Sequence, residues 1–217
     1  TAPSAATTYP LSTMGGLPTS TGGVLRPWAL KFANGKGYLG AVCSAENSLN
    51  RNDLKGYVIS FDPNNPTSVT IDLTIPLTYT KGAAHNANEA SPNFSNLWHP
   101  WYITYTAAAL NESPSPVLSD IEFDASGAMI IGFFDRRGMQ WSATYILPTT
   151  GQDMGSFVNV AGDILRACPN AAGTYVLENA AICGGVTGAG AGTNEGFGNG
   201  EFYRENAINF AGSGYDI

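Results

Sequence analysis

Three carboxylates occupy every second position in SDIEFDASGAMIIGFFDRRG, residues 119–138: Asp120, Glu122 and Asp124. In an extended strand, residues i, i+2 and i+4 project to one face. A face bearing several carboxylates can hold a hard cation such as Ca2+, so Asp120 and Glu122 are metal candidates. Asp124 is the weakest of the three, because it opens the turn Ala125-Ser126-Gly127, where an Asp caps its own backbone. The competing chemistry is pairing with Arg136, Arg137 or Arg166, since a buried carboxylate must be paired or shift its pKa.

Two histidines, His85 and His99, would need a partner such as Glu89 or Asp135 for acid–base or metal chemistry, and no spacing demands one. Trp98 and Trp101, with Tyr102 and Tyr105 nearby, are ligand-binding candidates: flat aromatics stack on sugar rings or anchor a protein partner, or else cover a sheet edge. No G-x-S-x-G elbow, Cys/His nucleophile signature or phosphate-cradling loop occurs, so no catalytic residue is named. Cys168 and Cys183 flank a predicted hairpin and are a candidate disulfide, whereas Cys43 reads as a buried thiol.

The rest of the chain must position these groups. Its 217 residues carry only 12% charged side chains and 26 glycines, a turn-rich composition, and the net charge of -7 disfavours nucleic-acid or anionic-membrane partners. No apolar run approaches the ~18 residues of a membrane span. A start at Thr1 suggests a processed or incomplete polypeptide. Residues 1–23 read as an extended arm or a strand of a preceding unit, with residues 7–11 the one candidate strand. Strands follow at 28–32, 37–43, 57–62 and 69–75, with Asn34-Gly35 a hairpin signal and Val69, Ile71, Leu73 and Ile75 expected on one face. A long loop spans 77–116, with a short strand expected within 98–106. Further strands are expected at 118–124, 129–134, 163–168 and 175–178. Residues 184–217 read as a Gly-rich loop and the start of another unit, with a last strand at 201–204.

The two groups of four strands, 24–76 and 117–183, can be laid on each other. Leu30-Lys31-Phe32 matches Ile121-Glu122-Phe123, Tyr38-Leu39-Gly40 matches Ile130-Ile131-Gly132, Val58 matches Ile164, and Pro63-Asn64 matches Pro169-Asn170. Lys31 thus takes the place of Glu122, and equivalent positions need not face each other. Repeats of four short antiparallel strands are the signature of a β-propeller. The sequence therefore predicts an all-β chain: antiparallel four-stranded blades of a propeller, an incomplete ring of about two blades plus neighbouring strands.

The set RPWALKF, GKGYLGAVCSAE, LSDIEFDASGAMIIGFFDRRG, GDILRAC, YVLEN, CGGVTG and GEFY resembles a set of bacterial secreted or cell-surface proteins with a β-propeller region, often ahead of SdrD-type B repeats. The resemblance covers about residues 24–204. It implies an extracellular or cell-surface location, and a large protein of which this chain is a middle portion. The expected function is structural or adhesive, presenting loops or packing into a surface assembly, with enzymatic activity the less favoured reading. The expected partners are the remaining blades of the same protein or other chains that complete the stack, with polysaccharide a further candidate. No cofactor is implied beyond the candidate Ca2+. The alternatives are an extracellular carbohydrate-active enzyme and a carbohydrate-binding module.

Overall fold

Turn chemistry sets the hairpins. Asn34 and Gly35 both have positive φ, 51° and 75°, the conformation of a two-residue hairpin turn whose twist matches its strands. They join strand β1 (Leu25–Ala33) to β2 (Lys36–Cys43), with Ala33 paired to Lys36. Asp62 closes the next hairpin by accepting from the Asn64 backbone N–H at 2.8 Å, between β3 (Lys55–Asp62) and β4 (Asn65–Pro76). The same devices build the second set. Asp124 and Gly127 turn β5 (Pro116–Phe123) into β6 (Met129–Asp135), and Asn170 and Gly173 turn β7 (Asp163–Pro169) into β8 (Tyr175–Leu177).

The computed structural model describes residues 7–82, 96–104, 113–136 and 162–203. It is all-β. Two four-stranded antiparallel sheets, ordered β1-β2-β3-β4 and β5-β6-β7-β8, are accompanied by two short ladders: β9 (Ile182–Cys183) with β10 (Val186–Thr187), and β11 (Gly190–Ala191) with β12 (Gly200–Glu201). The 3-10 turns lie at Leu11–Thr13 and Arg51–Asp53, and Arg136 is the one other helical position among the described residues. The strand expected over 7–11 does not form: residues 7–10 are irregular and Leu11 opens the first of these turns. Residues 98–104 form no strand either, the nearest pairing being a bridge between Thr80 and Leu97. Of the strand expected over 201–204, only Glu201 lies in a strand among the described residues, in Gly200–Glu201, and Arg204 lies outside them.

One expectation about β4 fails for a definable reason. Val58 pairs with Leu73, but the adjacent Ile59 pairs with Ile71, so Asp72 is an extra residue on β4. A bulge of one residue exchanges the faces on either side of it. Leu73 and Ile75 therefore join the core between the sheets, while Val69 packs on the opposite face and Ile71 is 40% exposed there. The four do not share a face.

The sheets carry the same pattern of pairing. Leu30 pairs with Leu39 and then Ile59; Ile121 pairs with Ile131 and then Leu165. Both first strands bulge at the same place, at Trp28 between Pro27 and Ala29 and at Ser119 between Leu118 and Asp120. The two sheets nevertheless use opposite faces where they meet. The first contributes Ala29, Tyr38, Val42, Val58 and Leu73; the second contributes Leu118, Ile121, Ile131 and Leu165, which are the counterparts of residues on the first sheet's outer face. The packing is thus head to tail, tightest where β1 and β2 meet β5 and sparser where β4 meets β8.

At the tight end Leu118 sits in a hollow formed by Gly40. A Cβ on Gly40 would stand 2.3 Å from Leu118 Cδ2 and 2.8 Å from the Ala29 Cβ, whereas one on the equivalent Gly132 would find its nearest neighbour, the Asp120 Cβ, at 3.6 Å. Gly40→Ala is expected to destabilise the fold by about 1–3 kcal/mol through overpacking, and Gly132→Ala to be neutral or slightly stabilising, since glycine in a strand interior is itself unfavourable. Urea denaturation of both variants checks the contrast.

Candidate functional site

The acidic stretch of β5 does not converge on one point. Asp124 lies just beyond the strand and accepts from the Ser126 and Ala128 backbone N–H groups at 2.8 and 3.1 Å, from the Ser126 hydroxyl at 2.6 Å, and from the Arg166 guanidinium. The Ser126 hydroxyl and then Arg166 hold its carboxyl down at about 2. Glu122 is bound by Lys31 at 2.6 Å, so the two equivalent positions do meet, Lys31 reaching from β1 to β5. Asp120 accepts from the Ile121 backbone N–H at 2.9 Å. Among the described residues no group of three or more His, Cys, Asp or Glu side chains is arranged to hold a metal.

The tryptophans of the long connection are interior residues. Trp98 is fully buried, packs on Phe133 with ring centroids 6.0 Å apart, and donates its indole N–H to Tyr79 at 3.1 Å. Trp101 is 9% exposed, donates to the Pro116 carbonyl at 2.9 Å, and lies beneath the guanidinium of Arg136, 4.6 Å from its ring centroid. Neither indole presents a platform to solvent. His99 donates its backbone N–H to the Pro114 carbonyl, and Asp135 is buried and accepts from the Ser115 N–H at 2.9 Å. His85, Glu89, Tyr105 and Arg137 lie outside the described residues.

Two polar centres escape sequence reading. In the first, the Tyr79 hydroxyl donates to the Asp163 carboxylate beneath Trp98, with the Lys81 ammonium 4.6 Å from the indole centroid; all four residues are buried. Burial and the Asp163 charge raise the Tyr79 hydroxyl well above its usual pKa, and burial raises Asp163 against the opposing pull of its Tyr79 bond and Lys81. The cluster fastens the inter-sheet connection to the first residue of β7. Its members are separated by up to 84 positions, so no local spacing signals it.

The second centre binds the segment after β8 across the far face of the second sheet. Glu178 is 1% exposed and accepts from the backbone N–H groups of Arg166, at 3.0 Å, and of Phe202. Arg166 stacks on Phe202, 4.6 Å from its ring centroid, and donates to the Tyr203 hydroxyl at 2.9 Å. A disulfide joins Cys168 to Cys183 with Cα atoms 5.7 Å apart, while Cys43 is a free buried thiol beside Ser20. The hollow beside the disulfide, lined by Val176, Leu177, Ile182 and Gly184 among others, contains no ionisable side chain among the described residues. These groups fasten backbone to backbone, and none brings a nucleophile and a base into an open cleft.

No family model and no solved structure matches the chain. Curated relatives do. The chain is similar to Colossin-A of Dictyostelium discoideum, 34% identical over 188 residues, which is 83% of this chain and 1% of that protein. It is similar to Colossin-B of the same organism, 29% identical over 191 residues, 83% of this chain and 5% of that protein. To Colossin-D it is 30% identical over 188 residues, again 83% of this chain and 17% of that protein. The chain thus spans a small part of the length of the curated relatives it matches. These relatives overturn the expected kinship with bacterial surface proteins carrying SdrD-type repeats, and with it the bacterial surface-adhesin function. They give no support to a carbohydrate-active enzyme or a carbohydrate-binding module either. The sequence motifs describe a β architecture, and such patterns recur without common origin.

Glu178 makes the fold pH-sensitive. Burial raises its carboxyl from 4.5 to about 7 against the two backbone N–H bonds that favour its ionised form. Between those values the folded state holds a proton that the unfolded chain releases, so stability falls as pH rises from about 4.5 to about 7, by an amount on the order of 3 kcal/mol. Chemical denaturation across that range should show the decline, and Glu178→Gln should reduce it, the raised Asp163 contributing in the same direction.

Proposed function

We propose that this chain is a structural module: two repeated four-stranded units of β-propeller type, residues 24–76 and 117–183, forming one rigid stretch of a longer multi-unit protein. The observation that carries the reading is the head-to-tail use of equivalent faces. The counterpart of the first sheet's outer face is what the second sheet buries, so each unit offers the next the surface that it received from the one before. Successive propeller blades are related in this way, each burying a face that it cannot bury alone. The taper of the seam, close at β1 and β5 and sparse at β4 and β8, fits blades that converge on an axis along their first strands. The lengths of the relatives fit as well, since the matching stretch occupies between 1% and 17% of Colossin-A, Colossin-B and Colossin-D. The Cys168–Cys183 disulfide supports an oxidising, extracytoplasmic location.

A module of this kind works by resisting deformation, and its two sheets share one core. Stretched from its ends in a single-molecule pulling experiment, the chain should give one unfolding event that releases both sheets together. Two separate events, one for each sheet, would overturn the reading.

A further inference from the structure

The segment after β8 contains a small hairpin tied down by a covalent bond. Ile182–Cys183 and Val186–Thr187 pair across the turn Gly184-Gly185, whose φ values of 59° and 79° suit a two-residue hairpin. The hairpin is a ladder of its own, and among the described residues no strand pairing joins 182–187 to the sheet β5-β6-β7-β8. The Cys168–Cys183 disulfide makes the connection instead, running from β9 to β7. The outer side chains of the hairpin add little, Ile182 being 49% exposed and Val186 56%.

The root of the hairpin is built differently. Ala180 and Ala181 have positive φ, 51° and 62°, a conformation in which a side chain is strained. Backbone bonds hold them there. The Ala180 N–H donates to the Phe197 carbonyl at 2.6 Å, the Ala181 N–H to the Gly200 carbonyl at 2.9 Å, and the Gly188 N–H to the Ala181 carbonyl at 2.7 Å. Phe197 in turn packs on Tyr79, and Phe202 is held by Glu178 and Arg166, so the root is anchored through contacts that do not involve the disulfide.

The two sheets do not depend on the bond either. Cys168 and Cys183 belong with Ala128 to a small apolar cluster, apart from the core that the sheets share. Both cysteines also line the adjoining hollow, about 390 Å³ in volume, whose wall comes from the sheet at Val176 and Leu177 and from the hairpin at Ile182 and Gly184. The hairpin is therefore one wall of a hollow, carried on a strained root, with a reducible bond across it.

We infer that residues 182–187 form a flap that the Cys168–Cys183 bond holds against the second sheet and that a dithiol reductant releases. A thiolate of the reductant attacks one sulfur, the S–S bond breaks, and the second thiol resolves the mixed disulfide. Two electrons pass to the protein, Cys168 and Cys183 each take up a proton, and the reductant leaves as its own disulfide. The hairpin then keeps its ladder and its root but loses its tie to β7, and turning at Ala180 and Ala181 relieves their left-handed strain. Redox state thus sets whether the Cys168 side of the second sheet is covered, while the sheets stay folded. The device needs the disulfide and the hairpin, and is independent of the module reading.

Limited digestion of the full chain with subtilisin, a protease without disulfides, tests it, with the cut sites mapped by mass spectrometry. In non-denaturing buffer containing dithiothreitol, cleavage within 182–187 should rise by roughly tenfold or more over the oxidised chain, because cleavage follows the population of the open form. Under the same conditions Cys43, a buried thiol packed in the first sheet, should stay unreactive toward a maleimide. Reoxidation should restore resistance, and Cys183→Ser should be cleaved at the reduced rate with or without dithiothreitol. Equal cleavage in both redox states overturns the inference, as does a disulfide that dithiothreitol leaves intact until denaturant is added. Loss of Cys43 protection along with the cleavage overturns it too, since the bond would then be holding the whole fold.

Discussion

A four-stranded sheet that is apolar on both faces has to be covered on both, and the architecture follows from that requirement. The first sheet buries one face on the second and shelters part of the other beneath the arm through Met14 and Leu17. The second buries the equivalent of that other face and covers part of its remaining one with the segment pinned by Glu178, Arg166 and the Cys168–Cys183 disulfide. At roughly 25 cal/mol for each Å² of apolar surface removed from water, covering a sheet face outweighs any single polar contact in the chain. The polar centres accordingly sit where connecting segments must be fastened over those faces. Tyr79 and Asp163 fasten the inter-sheet connection, and Glu178 fastens the segment after β8.

Much of this was legible in the sequence. The hairpin turns at Asn34-Gly35 and around Asn170, the order of the eight main strands, and the alignment of Leu30 with Ile121 and Val58 with Ile164 all depend on local turn chemistry and a short period. The bulge at Asp72 was not legible. An alternating run such as VTIDLTI keeps its alternation whether or not one residue is looped out, and only the partner strand reveals which. Trp98 and Trp101 stayed open between two readings for a related reason: an aromatic residue in a polar, irregular segment has the same sequence signature whether it faces water or plugs the seam beneath that segment. Tyr79, Lys81 and Asp163 gave no signal because their pairing crosses most of the chain.

The carboxylates of β5 show how a repeat redirects a chemical reading. Seen alone, alternating acids on a strand suggest an ion site. Seen in two copies, one of them stands opposite a lysine at the equivalent position, and the neighbouring Asp124 serves its own turn and an arginine two strands away. Charge is scarce in this chain, and Glu122 and Asp124 are committed to a seam and a turn.

The paired bulges at Trp28 and Ser119 have one more consequence. Each lies on a strand that ends its sheet's order among the described residues, and Pro27 beside the first cannot donate a ladder hydrogen bond. A kinked edge missing a donor is a poor template for another strand. At the opposite edge of the first sheet, Gly15 already takes up the backbone groups around Ser68. Lateral extension is therefore discouraged at both edges of the first sheet and at the β5 edge of the second. Edges built in this way keep a sheet apolar on both faces from fusing edge to edge with another.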